Sequence, residues 1–512
     1  MNTYYLTLLS EIRYVIPEFF LGISIIYLLL FGAIVSTSKT YPLIQRPILK
    51  LSILILIFTV CLIYSNEEHC IGFREHILNN TMVGDYLGFA SKLIISVFSL
   101  LCLIMIKYYL IDQQINQFEY LIVILVGILG LFILCSSNDF MTAFLALEVQ
   151  SLAFYIMSAF KKNSSFSVEA GLKYFILGSF SSALFLLGAS LIYGATGTFD
   201  FDNFRIISFV VYSDEFKYLF DNYSFFFELD ALHLGLSLIL ISLFFKLAVA
   251  PLHVWSPDIY ENSPTSSTIF FAVVSKLGIL VLLIRLFLYS FYGVFYAWRY
   301  YIVGFAVISV IIGAITALEQ KKMKSLLAYS SISHIGYILI AFSVGTINGL
   351  QNLYAYIMIY TLAGFCIWSI FLILRMKAFY FKKQNKDLSD LTLLFKSHPI
   401  IAVGFSIVLL SIAGLPPFIG FLTKIGIFST AIESSMYFVA IISILASVIS
   451  TFYYIRIIKI LFFEKVLVGN LYHPLDYSQT FLVITSCFLF IYLFIDPSIL
   501  YYISYLISGF NT

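Results

Sequence analysis

Long apolar runs, separated by short polar connections, recur from one end of the chain to the other. A run of about 18 or more residues with almost no charge is the pattern of a helix that crosses a bilayer. Fourteen such spans are predicted, over 16–37, 47–64, 86–106, 120–137, 139–160, 172–194, 231–260, 265–291, 300–318, 325–346, 350–374, 399–430, 436–458 and 478–505. The class that follows is an all-α integral membrane protein. The seventh and twelfth spans are too long for one straight crossing. Both hold proline: Pro251 in the seventh, and Pro416 and Pro417 after Gly414 in the twelfth. Proline inside a helix removes a backbone hydrogen bond, and in lipid the freed carbonyls are tolerated only beside protein or a watery cavity. Both spans are therefore expected to be broken helices.

Spans four to eight and nine to thirteen form two groups of five. Because five is odd, the second group must enter the membrane from the opposite face, which predicts an inverted repeat. The divisions are an N-terminal three-helix segment (1–117), a first repeat (118–292), a second repeat (293–463) and a last span within 464–512. Lys246 precedes the break in the first half and Lys424 follows it in the second, as a reversed direction requires. Broken helices at matching places of two halves point to a transport site. Charge tests the count. Of the 29 lysines and arginines, 19 follow odd-numbered spans, seven lie toward the other face and three are the buried lysines. The positive-inside rule then places odd connections in the matrix or cytoplasm and both termini on the other side.

Composition narrows the function. The chain is 61% hydrophobic and 11% charged, with a mean hydropathy of +1.00. A net charge of +2 gives nucleic-acid binding no electrostatic support. The six cysteines include no CxxC pair, and no glycine-rich phosphate loop occurs, so redox chemistry is assigned to partners. Against this background Glu148, Lys246, Lys276 and Lys424 lie deep inside apolar segments. Each charge at mid-depth costs roughly 2.5–3.5 kcal/mol on insertion scales. Moving protons is the cheapest physical use for them. Burial disfavours a lysine's charge and a neighbouring carboxylate favours it, so closing and opening a Glu–Lys pair toggles the lysine without any cofactor.

The stretch Pro251-Leu-His-Val-Trp-Ser-Pro-Asp-Ile-Tyr-Glu-Asn-Ser-Pro-Thr265 resembles the signature of the antiporter-like membrane subunits of respiratory complex I. Its Ser-Pro-Asp-x-Tyr-Glu form is similar to the subunit 2 type, as is lysine at 424, where the subunit 4 type is expected to carry glutamate. Ala143–Ser151, Glu169–Ser179, Tyr193–Thr198, Lys324–Tyr337 and Ala413–Phe418 agree, so the resemblance covers roughly 90–460. It implies a proton-translocating subunit that couples NADH-to-ubiquinone electron transfer, carried out elsewhere, to proton pumping. Glu148 and Lys246 match the family's charged pair, Lys276 its relay lysine, and Lys424 the residue nearest the exit. NAD, FMN, iron–sulfur clusters and ubiquinone are then expected in partner subunits and none in this chain. Neighbours would be other membrane-arm subunits (a subunit 4 type and small three-helix subunits) and lipids.

Each residue also has a plainer reading. Glu148–Lys246 would serve as a helix tie, and Lys276 and Lys424 would snorkel to an interface. His334, in the Ser-rich tenth span, is open between a relay and a packed, hydrogen-bonded histidine. His253, just after Pro251, is read as structural or gating. Lys173 is read as an interfacial anchor, and Asp496 as lying near an interface. The rival functions are a cation/proton antiporter subunit and a structural spacer. Heavy use of Phe, Tyr and Ile suggests translation from an AT-rich genome and hence the mitochondrial inner membrane, with termini in the intermembrane space. A bacterial plasma membrane is the alternative.

Overall fold

The computed structural model describes residues 2–36, 45–67, 74–113, 117–211, 223–377, 382–384, 387–392, 394–464 and 475–509, with 115 and 472. Cys70, Lys39, Lys386 and Lys465 lie outside the described residues. Thirteen helices among those described are long and apolar enough to cross a membrane, and they correspond to every predicted span except the twelfth. That span is two helices, Pro399–Ala413 and Ile419–Glu433, of 15 residues each. Each half spans only about 22 Å at 1.5 Å per residue, short of a 30 Å hydrocarbon core. Neither half crosses alone.

The chain leaves the seventh span (Tyr223–Leu247) at Ala248, three residues before Pro251. Three donors serve the final turn. Ala248 N–H donates to Phe245 O at 3.0 Å and Val249 N–H to Phe244 O at 2.9 Å. The indole Nε1 of Trp255 also donates to Phe245 O, at 2.9 Å. Trp255 opens the short helix Trp255–Asn262 and stacks on Tyr174 of the sixth span at 4.9 Å between ring centroids. The Pro-x-His-x-Trp stretch thus ends one helix and pins the next.

Other elements depart from the expectation. The last span is interrupted: Tyr477–Ile495 stops at Asp496 and Ser498–Gly509 begins anew. Pro497 disfavours helix at the residue before it, and partly exposed Asp496 accepts from Ser498 N–H at 3.1 Å. The eighth span carries π-helical turns, Phe270–Val274 and Arg285–Ser290, around a regular stretch, Ser275–Ile284. Two small hairpins, Glu75–Ile77 with Met82–Gly84 and Arg375–Lys377 with Lys382–Gln384, and a helix, Phe201–Val211, lie in the connections.

Polar contacts sort the connections onto two faces. Even connections meet on one: Arg74 pairs with Asp202 at 3.1 Å, Asn138 donates to Asp202 at 2.7 Å, and Tyr289 Oη donates to Asp202 at 2.7 Å. Odd connections meet on the other: Lys173 pairs with Asp258 at 3.4 Å, Lys322 with Glu261, and Lys324 donates to Ser263 O at 2.8 Å. Between the faces the helices pack closely where side chains vanish. A Cβ on Gly188 of the sixth span would meet Gly235 O at 2.7 Å, and one on Gly235 would meet Gly188 O at 2.9 Å. Only glycine permits that crossing.

Candidate functional site

Two of the buried lysines converge on one aromatic cluster around His334. Lys276, 4% exposed, lies on the eighth span, whose hydrophobic window is wholly packed inside the protein. Its Nζ donates to Tyr360 Oη on the eleventh span at 3.3 Å. The Tyr360 ring stands 5.5 Å from that of His334 on the tenth. His334 in turn bonds on both nitrogens, Nδ1 to Tyr356 Oη at 2.6 Å and Nε2 to Tyr454 Oη at 3.0 Å. His334, Tyr360 and Lys424 together line a cavity of about 10 Å³, about the size of one water.

Lys424 sits on the far side of that cavity, at the broken twelfth span. Its Nζ donates to Ala413 O at 2.9 Å and lies 5.4 Å from the Tyr337 ring centre. Ala413 ends the first half-helix, so the lysine binds a carbonyl that the break released. Gly414 closes that half-helix in a left-handed turn at φ +83°, its N–H donating to Leu410 O at 3.1 Å. A Cβ there would also meet Lys424 Cδ at 2.7 Å. Gly414→Ala is therefore expected to destabilise the chain by about 1–2 kcal/mol and to displace the ammonium. A lowered unfolding temperature of the purified protein checks the first effect.

Glu148 and Lys246 are placed differently. Each presents a buried polar atom, Glu148 Oε1 and Lys246 Nζ, with no hydrogen-bond partner. No hydrogen bond or ion pair joins the two. The expected pair is thus open in this structure. The sixth span (Ser165–Thr196) packs against both the fifth and the seventh. Unpaired buried charge is costly.

The remaining candidates are peripheral. His253 Nδ1 is buried without a partner, its ring 6.1 Å from that of Tyr329, and it contacts none of the three lysines. Lys173 pairs with Glu169 at 2.8 Å and with Asp258 on the exposed face, where an anchor belongs.

Residues 137–450 match the family described as NADH:quinone oxidoreductase/Mrp antiporter, transmembrane. That is more than half the chain. This protein belongs to the NADH:quinone oxidoreductase/Mrp antiporter family. Among its members, NADH-ubiquinone oxidoreductase chain 2 of Marchantia polymorpha is 36% identical over 494 residues, covering 96% of each chain. NADH-quinone oxidoreductase subunit N of Pelagibacter ubique is 35% identical, covering 89% of this chain and 91% of that one. A chain of Thermus thermophilus respiratory complex I superposes with a TM-score of 0.77 at 25% identity, covering 95% and 98% of the two. A chain of the Mrp complex from Dietzia sp. shares the fold, with a TM-score of 0.81 at 18% identity over 98% and 97%.

Within this family fold, two more cations lie inside the helices, Lys92 mostly and Arg285 fully buried. Lys92 of the third span pairs with Glu18 of the first, their side chains 11% and 7% exposed. Arg285 pairs with Asp85 at 2.6 Å and donates to Cys135 O at 2.8 Å. Each cation lies about six residues from the end of a predicted span, where sequence alone does not separate a buried cation from one at the membrane face. The tyrosines at 356, 360 and 454 were missed for another reason: they are three of 37. Nothing short of the fold singles them out.

Proposed function

We propose that this chain is a proton-translocating membrane-arm subunit of a complex I, with the redox cofactors in its partners. The relatives named as chain 2 and subunit N support the setting. The observation that carries the mechanism is the contrast between two kinds of buried cation. Lys92 and Arg285 are neutralised by carboxylates at contact distance. Lys276 and Lys424 bind only a hydroxyl and a carbonyl, and among the described residues no carboxylate lies within 4.0 Å of either. A paired charge holds helices together, whereas an unpaired one is free to lose its proton.

The proton leaves Nζ of Lys276, which becomes neutral, passes by the Tyr360 hydroxyl and His334, and is taken up by the neutral amine of Lys424. His334 suits the middle position. Neutral imidazole accepts on one nitrogen and donates from the other, so a proton arriving at one side releases another from the opposite side. Glu148 and Lys246 load this line: closing the open pair holds a proton on Lys246, and opening it sends the proton on. The five residues Glu148, Lys246, Lys276, His334 and Lys424 form the proposed axis, with the inverted five-helix repeat as its frame.

Tyr360→Phe tests the order of the relay. The substitution keeps the ring and its packing but removes the acceptor of the Lys276 hydrogen bond. Pumping should fall by about tenfold or more, the scale of losing one positioned proton-transfer group. The readout is NADH-driven acidification in vesicles reconstituted with the complex. Unchanged pumping would route protons elsewhere. The antiporter reading draws on the family match and the shared fold and would require cation-dependent proton exchange without NADH.

A further inference from the structure

On the odd-connection face, a groove of about 600 Å³ opens between the ends of the second, third and fourteenth spans. Arg46, Lys50 and Lys107 line it, and all three are exposed. On the same face Lys173 has Glu169 and Asp258 as acidic partners, and Lys322 has Glu261. Arg46, Lys50 and Lys107 have none among the described residues. Three like charges in one groove repel each other, so the arrangement favours an anion.

The wall below them is apolar. Ile53 lies three residues beyond Lys50, and Ile104 three residues before Lys107, each one turn deeper along its span. Gln479 ties the fourteenth span across the floor through Nε2 to Met105 O at 2.9 Å. A cationic rim above an apolar wall at the membrane surface matches a phosphate headgroup above its acyl chains. We propose that this groove binds an anionic phospholipid. A free phosphate would satisfy the rim but leave the apolar wall exposed.

The probe is phosphatidylglycerol against phosphatidylcholine, each offered to the full-length chain in detergent and followed by native mass spectrometry. Wild type should retain phosphatidylglycerol selectively. Each single change, Arg46→Gln, Lys50→Gln or Lys107→Gln, should weaken retention about fivefold, and all three together on the order of a hundredfold. Lys162→Gln with Lys321→Gln, on the same face but outside the groove, should change it less than about twofold. Unchanged helicity and unfolding temperature confirm that each variant is folded. Equal retention of both lipids overturns the proposal, as does an equal loss in the control pair. Displacement by inorganic phosphate at the lipid's own concentration, or a partner chain cross-linked into the groove of the assembled complex, overturns it too.

Discussion

Lys246→Ala and Glu148→Ala should each depress NADH-driven proton pumping by at least about tenfold while leaving the chain assembled. Survival follows from the open geometry. Removing one member of a closed buried pair is destructive because it strands the other. Here Lys246 Nζ and Glu148 Oε1 have no hydrogen-bond partner, so truncating one breaks no hydrogen bond of the other. Glu148→Asp should be milder, since it keeps the carboxylate and shortens only its reach. Lys246→Arg should restore little, because a guanidinium keeps its proton at any accessible pH. Acidification and quinone reduction, measured together in reconstituted vesicles, separate these cases. Both should fall in the alanine variants, because coupled electron transfer stalls when protons cannot move.

Arg285→Gln should act in the opposite sense, on assembly before turnover. Arg285 is 4% exposed and joins Asp85, the cap of the third span, to the end of the fourth through Cys135 O. Removing its charge leaves the Asp85 carboxylate half-buried and uncompensated, a loss of about 3–5 kcal/mol for such pairs. That is a large part of the roughly 5–15 kcal/mol by which native proteins are stable. The amount of chain recovered in the intact complex on a native gel should drop sharply. Replacing Glu18 and Lys92 together by leucine should be less harmful than replacing either alone, since no charge is then stranded. A fully assembled Arg285→Gln complex that fails to pump would instead move Arg285 into the proton path.

The helices and the buried lysines were legible because bilayer length and charge cost are properties of short windows. A run of apolar residues needs no tertiary context to be recognised, and neither does Lys276 in the middle of one. Prolines at 251, 416 and 417 marked two interruptions for the same local reason. Pro497 is an equally local signal, and it interrupts the last span between Ile495 and Ser498. What windows cannot show is which hydroxyl meets which charge. Tyr360 lies 84 positions from Lys276, and Tyr454 lies 120 from His334. The difference between Lys276 and Arg285 is of the same kind. Both are deep cations on one span, and only the approach of Asp85, 200 positions away, makes one a tie.

Proton pumping by an assembled complex carrying Lys276→Ala tests the central claim most directly. Lys276 is the charge that joins Tyr360 and His334 to the rest, and it has no carboxylate whose loss would confuse the result. Vesicles reconstituted with this variant at wild-type abundance should show NADH-driven acidification reduced by about tenfold or more. Acidification at the wild-type rate would mean that the buried lysines are structural and that protons cross by another route.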